Sequence, residues 1–281
     1  MNEKTICIRG INMHVEIEGE ENLPSVVFLH GFTGSTASWR EITKLLKGNY
    51  QTIAVDLTGH GKSTIPEDID RYSMDEQVVD LETLFTELSL DQFILVGYSM
   101  GGRVALAYTT HYSRRVSSLI LESSSPGLKT KVEREERQAA DRRLAERILT
   151  DGLPAFIDFW GNIPLFASQK TLSEEKQLAV KHERLSQSEI GLANSLRGIG
   201  TGSQSSYWES LGTVHLPVLL ITGELDTKFV NISREMQRNF PNVRHETIEQ
   251  VGHAIHVEKP ATFATMIEEH ISELKNRGGS L

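Results

Sequence analysis

Gly97-Tyr98-Ser99-Met100-Gly101-Gly102 decides the fold. The segment follows the apolar run Phe93-Ile94-Leu95-Val96 and opens a segment of helical period from Gly101 to His111, so a serine stands where a strand turns into a helix. Glycine is required on both sides because the turn is so tight that side chains there would collide. The strained backbone then pushes the serine hydroxyl out over the sheet edge. A small-residue turn satisfies the same G-x-S-x-G pattern. The strand before it and the helix after it make it a nucleophile elbow.

Outward from the elbow, Ser25 to Leu29, Gln51 to Val55, Val116 to Leu121 and Pro217 to Thr222 are short apolar runs ending at polar residues or Gly. Such runs read as central parallel strands, buried on both faces. Helical periods fall between them at Ser73 to Leu88, Asn231 to Phe240 and Ala261 to Lys275. Thr5 to Ile8 and Met13 to Ile17 alternate around Gly10 like an antiparallel hairpin. The expected class is α/β, a mostly parallel sheet with helices on both faces and right-handed crossovers. The rhythm breaks from Gly127 to about Leu211, where amphipathic helical patterns follow one another without a strand. The expected division is therefore a core in two parts, 1–126 and 212–281, with a helical cap at 127–211 over the carboxyl edge of the sheet. A solvated helical hairpin remote from any site is the alternative. The tail Arg277 to Leu281 is expected to fray.

Composition narrows the function classes. The 281 residues are 38% hydrophobic, enough for a large core, and the net charge of −9 is spread over mixed-sign helices. No basic face is offered to nucleic acid, no apolar run reaches the ~20 residues of a membrane span, and the N-terminus carries no signal-like apolar region. A cytoplasmic enzyme is expected. The single cysteine, Cys7, excludes an intramolecular disulfide and reads as a buried, inert strand residue. No metal and no cofactor are expected, since paired-cysteine and H-x-x-x-H spacings are absent. Gly59-His60-Gly61-Lys62-Ser63 ends like a phosphate loop but lacks the upstream glycine and the strand-to-helix setting.

A serine hydroxyl needs an imidazole to take its proton, and the imidazole needs a carboxylate to fix its tautomer. Asp226 follows the strand Pro217 to Thr222, and His253 follows a strand at His245 to Ile248. Ser99, Asp226 and His253 are the expected catalytic residues. Glu224 is the rival carboxylate, read as a loop anchor. Of the other histidines, His30 and His60 are expected to brace loops by hydrogen bonds, and His14, His111, His182, His215, His245, His256 and His270 show no partner signal. The backbone N–H groups of Phe32, in His30-Gly31-Phe32-Thr33-Gly34, and of Met100 are the expected oxyanion hole. Arg103 lies one helical turn beyond Ser99, on the same face. A guanidinium there suits a carboxylate rather than a neutral ester.

Together, His30-Gly31, Asp56 with Gly59 to Ser63, Gly97 to Gly102, Asp226 and Gly252-His253 resemble the α/β-hydrolase superfamily over nearly the whole chain, including the order Ser, Asp, His. Tyr98 to Arg103, Ser123 to Leu128 leading to Arg137, Leu196 to Gln204 with Trp208, and Asp226 to Phe229 are similar to the 2-succinyl-6-hydroxy-2,4-cyclohexadiene-1-carboxylate synthases of menaquinone biosynthesis. That resemblance implies a lyase that removes a proton and expels pyruvate from 2-succinyl-5-enolpyruvyl-6-hydroxy-3-cyclohexene-1-carboxylate. It also implies a substrate clamp completed by Arg137 and Arg184, a pocket lined by Tyr98, Trp160 and Phe166, and Lys228 near Asp226. For Arg137 and Arg184, pairing with Glu133 and Glu183 on a solvated face is the alternative. A serine hydrolase acting on a carboxylate-bearing ester or C–C bond is the competing activity, and a ligand-binding receptor on the same fold is the third reading. The intact triad argues against the receptor.

Overall fold

The computed structural model describes residues 1–276. The tail expected to fray lies outside the described residues. Eight strands form one sheet: β1 (Asn2–Ile8), β2 (Ile11–Glu18), β3 (Ser25–Leu29), β4 (Gln51–Val55), β5 (Phe93–Tyr98), β6 (Val116–Glu122), β7 (Val218–Gly223) and β8 (Val243–Ile248). Their order is β1-β2-β4-β3-β5-β6-β7-β8. β1 and β2 are antiparallel to each other and β2 to β4, and every later pairing is parallel. The two-residue turn of the hairpin is Arg9-Gly10, both at positive φ, 44° and 83°, as the primed turns of twisted hairpins require. β4, β5 and β7 are buried at every position, as runs covered on both faces must be.

The covering helices are α1 (Arg40–Leu46), α2 (Met74–Glu87), α3 (Met100–His111), α8 (Thr227–Gln237), α9 (Ile255–Glu258) and α10 (Pro260–Asn276). One face packs Leu81, Leu84 and Phe85 of α2 with Val104 and Tyr108 of α3. The other packs Trp39, Ile42 and Leu46 with Phe263, Ile267 and Ile271. β4 lies on one side of β3 and β5 on the other, so the chain reverses its direction of travel there. The carboxyl ends of β3 and β5 flank a switch point, where open α/β sheets bind ligands.

Between β6 and β7 the chain leaves the sheet and forms α4 (Lys131–Asp151), α5 (Leu153–Gly161), α6 (Glu174–Leu185) and α7 (Glu189–Ile199), with short 3-10 helices at Pro164–Thr171 and Glu209–Thr213. A reciprocal Thr130–Glu133 capping box starts α4. The segment has its own apolar cluster, including Ile148, Phe156, Ile157, Leu192 and Leu196. It is fastened to the loops above β3 and β4. Glu183 accepts from Ser35 N–H at 2.9 Å, Ser35 Oγ at 2.8 Å and Ser38 Oγ at 2.6 Å, while Gln187 accepts Gly61 N–H at 3.0 Å.

Two sequence expectations are corrected. Cys7 is exposed on the edge strand β1, where alternation turns its neighbour Ile8 inward instead. α8 starts at Thr227, four residues before the expected Asn231, because Asp226 caps it by accepting Phe229 N–H at 3.3 Å. α1 was not anticipated, being seven residues long with no side-chain cap. Among the described residues no helix is long and apolar enough to cross a membrane.

Candidate active site

The elbow geometry follows from its glycines. A Cβ on Gly97 would stand 2.6 Å from the Gly101 carbonyl oxygen, and one on Gly101 would stand 2.2 Å from that of Leu29, so no larger residue lets α3 start against the end of β3. Ser99 is held at φ 49° and ψ −105°, a conformation L-residues rarely occupy. Its N–H donates to the Glu122 carbonyl at 2.9 Å, and its own carbonyl accepts from Ser124 Oγ at 3.1 Å.

Ser99, Asp226 and His253 come together from three strand ends. His253 Nε2 lies 3.1 Å from Ser99 Oγ, and His253 Nδ1 lies 2.6 Å from Asp226 Oδ2. Asp226 spends its other oxygen on the N-cap of α8, so the capping bond also fixes the carboxylate facing the imidazole. Tyr98 and Phe229 flank the His253 ring at centroid distances of 5.3 and 4.7 Å, with Phe166 at 6.1 Å. Base and carboxylate are both buried. A serine–imidazole–carboxylate relay in a dry setting can move a proton at the serine oxygen. Glu224 is turned away and accepts Gln250 N–H at 3.0 Å, bridging the loops after β7 and β8.

The loop after β3 is braced from beneath. Leu57 N–H donates to His30 Nε2 at 3.0 Å, so the hydrogen sits on Nδ1 and is donated to the Gly31 carbonyl at 2.8 Å. Burial lowers the His30 pKa, which keeps that tautomer neutral. Asp56 accepts Thr36 N–H at 2.6 Å, Lys62 N–H at 2.9 Å and His14 Nδ1 at 2.8 Å. Burial alone would raise its pKa, but the facing His14, His30 and backbone donors bring it below the usual value. The Gly59 to Ser63 turn is thus the sleeve of a buried carboxylate. His60 braces by packing more than by hydrogen bonding: its Nδ1 is 3.3 Å from the Thr58 carbonyl and its Nε2 has no hydrogen-bond partner among the described residues. Burial, with His30 beside it, pushes its pKa down to about 3.

A cavity of about 470 Å³ opens above Ser99. Ser99, His253, Phe32 and Met100 line its floor, and Arg103, Arg137, Trp160 and Lys228 line its walls. Arg103 is 8% exposed and donates from Nη1 to the Ile199 carbonyl at 2.8 Å and to Gln204. Burial and the nearby Arg137 lower its pKa to about 10, so it stays cationic at neutral pH. Arg137 donates from Nε to the buried Asp141 at 2.8 Å and lines the cavity. Its partner is therefore not Glu133, which is committed to the capping box.

Three sequence-expected pocket residues stand elsewhere. Tyr98 lies behind His253, packed between it and His256. Phe166 is edge-on to Trp160 at 6.0 Å. Arg184 stacks its guanidinium on the Phe166 ring at 4.5 Å, bonds Gln169 at 3.2 Å, and lines a separate depression. Glu183, its alternative partner, faces Ser35 and Ser38 instead. Four histidines that carried no partner signal in the sequence have partners: His14 with Asp56, His245 with Thr222, His256 with Glu122 and His270 with Ser118. Asp141 was legible as the i+4 partner of Arg137. Lys129, also on the cavity wall, pairs with Glu235 over the Trp208 ring and carried no local signal.

A family model described as the alpha/beta hydrolase fold matches residues 24–260. The chain is 45% identical to a putative 2-succinyl-6-hydroxy-2,4-cyclohexadiene-1-carboxylate synthase of Bacillus subtilis, over 94% of this chain and 96% of that one. It is 33% identical to the synthase of that name from Escherichia coli K12, covering 86% and 92% of the two chains. Among solved structures, MenH from S. aureus superposes with a TM-score of 0.89 at 35% identity, covering 93% of this chain and 98% of that one. A thermophilic esterase from Thermogutta terrifontis, malate bound, shares the fold at a TM-score of 0.84 and 24% identity, covering 98% and 99%.

Proposed function

Since the chain belongs to the α/β-hydrolase fold family and, within it, to the 2-succinyl-6-hydroxy-2,4-cyclohexadiene-1-carboxylate synthases, we propose that it expels pyruvate from 2-succinyl-5-enolpyruvyl-6-hydroxy-3-cyclohexene-1-carboxylate, acting as a carbon–oxygen lyase of menaquinone biosynthesis in the cytoplasm. The observation that carries this reading is the juxtaposition of Ser99 and His253 with the two arginines Arg103 and Arg137 on one cavity. A neutral-ester hydrolase has no use for two guanidiniums beside its nucleophile, whereas a substrate bearing three carboxylates does. That sets elimination above ester or C–C hydrolysis on the same triad.

Ser99 acts as the base, its proton drawn off by His253, whose imidazolium is balanced by Asp226. It removes the ring proton next to the succinyl ketone. The electron pair forms a ring double bond, the existing one shifts by one position, and the bond to the enolpyruvyl oxygen breaks. The leaving enolate takes up a proton and becomes pyruvate, and the ring is left as a diene. Charge that builds on the ketone oxygen meets the backbone N–H groups of Phe32 and Met100, each worth ~2.7–4 kcal/mol of transition-state stabilisation in comparable holes. Arg103 and Arg137 hold ring and side-chain carboxylates, Lys228 adds a further cation to the cavity wall, and Trp160 packs on the ring. The helices from 127 to 211 act as a cap that dries the cavity. Incubation with the substrate tests the reading: pyruvate is expected in step with the diene, and hydrolysis products without pyruvate would overturn it.

A further inference from the structure

Glu122 ends β6 directly across the ladder from Tyr98, the residue before the nucleophile. It is fully buried, and both ends of it are committed. Its backbone carbonyl accepts Ser99 N–H at 2.9 Å. Its carboxylate accepts the His256 N–H at 3.0 Å, and His256 Nδ1 lies 2.9 and 2.8 Å from its two oxygens. His256 is three residues beyond His253, at the start of α9. Its ring is clamped by Trp39 at 4.5 Å and Tyr98 at 4.6 Å, and Tyr98 in turn touches His253 at 5.3 Å. A buried carboxylate with this many donors is costly to disturb, and it joins the strand that carries the nucleophile to the loop that carries the base.

We propose that Glu122 is a positioning residue for the Ser99–His253 pair: with His256 it fixes the distance between nucleophile and base. It touches no reacting atom and lies outside the cavity lining. The inference rests on the proposed roles of Ser99 and His253, not on the identity of the substrate. The cage explains why a single joint suffices. Asp226 holds the His253 ring through Nδ1, and the backbone on its C-terminal side is anchored through His256.

The experiment compares the intact chain with Glu122→Ala, Glu122→Gln and His256→Phe. Each is scored by pyruvate release, by the rate at which a fluorophosphonate labels Ser99, and by the downfield proton resonance of the His253 Nδ1–H shared with Asp226. Labelling needs the Ser99–His253 pair but not the native substrate, so it separates failure of this inference from failure of the lyase reading. Glu122→Ala is expected to lower kcat and the labelling rate together by about 10- to 100-fold with KM nearly unchanged, the scale on which ~1 Å of misplacement acts, and to broaden the shared-proton signal. Glu122→Gln keeps an oxygen acceptor for the His256 N–H and is expected to restore most of the loss. If Glu122→Ala does not fold, His256→Phe, which keeps the ring packing and the backbone N–H, is expected to show a smaller loss of the same kind. Wild-type labelling and an unchanged resonance in a folded variant, a loss confined to KM, or a Gln variant no better than Ala would overturn the proposal.

Discussion

Ser99 pays for its exposure with a backbone conformation at φ 49° and ψ −105°, which costs a non-glycine residue on the order of 1–3 kcal/mol. Two substitutions separate that strain from the chemistry. Ser99→Ala keeps the Cβ and the strain, so it is expected to abolish turnover while unfolding at the wild-type denaturant midpoint. Ser99→Gly is expected to be equally inactive yet more stable than Ser99→Ala by about 1 kcal/mol, as glycine accepts positive φ freely. A denaturation series in which Gly is the weaker of the two would contradict the strain argument. Arg103 has a double duty at this scale, facing the cavity while its Nη1 holds Ile199 and Gln204. A hydrogen bond from a cation to a carboxylate is worth ~1.5–3 kcal/mol, so Arg103→Ala is expected to lower kcat/KM for the anionic substrate by roughly one to two decades. A small neutral ester, if turned over, should lose far less. Equal losses on both would make Arg103 a purely structural tie.

At the scale of elements, one side chain on α6 fastens the helical segment to the loop after β3. Glu183 serves three donors of Ser35 and Ser38, and Glu183→Ala leaves them to water. The expected cost is ~1.5–3 kcal/mol, read as faster proteolysis within α4 to α7 and a raised KM. An unchanged digestion pattern would show that packing alone seats the segment. The loop after β4 sets a pH response. His60 has a folded pKa of about 3, against roughly 6.5 when unfolded. The unfolded chain therefore binds a proton below about pH 6.5 that the folded chain refuses, and stability falls as the pH is lowered, by up to ~1.4 kcal/mol per unit. His60→Gln is expected to flatten that acid limb in urea titrations between pH 4 and 6.5, and an unaltered slope would remove His60 as its source. His14, raised by Asp56, acts in the opposite sense: its contribution is present below about pH 6.5 and lost as pH rises through its folded value. Most elements were legible in the sequence because fully apolar strands and capped helices announce themselves. α1 is too short to show a period, and the start of α8 is set by the Asp226 cap beneath polar Thr227-Lys228. Cys7 was misplaced because an edge strand shows the same alternation whichever face is covered.

For the whole molecule, topology assembles the site. The switch between β3 and β5 places the Phe32 loop beside the elbow, and β7 and β8 bring Asp226 and His253 to the same edge. These placements follow from the order of residues along the chain, which is why the meeting of Ser99, Asp226 and His253, with Phe32 and Met100 on the same cavity, was readable without coordinates. Other contacts across elements were not. Glu122 beneath the base loop and the stacking of Arg184 on Phe166 depend on how elements pack, which no local pattern encodes. The fold alone does not choose between elimination and acyl transfer either, since an esterase superposes on this chain at a TM-score of 0.84. The choice rests on what Ser99 does with a bound polycarboxylate, and one measurement reads it directly: intact-protein mass of enzyme quenched at successive times during turnover of the enolpyruvyl cyclohexene substrate. Unmodified enzyme at every time point while pyruvate accumulates is the expected result, and a substrate-derived adduct on Ser99 that forms and decays with turnover would contradict the account.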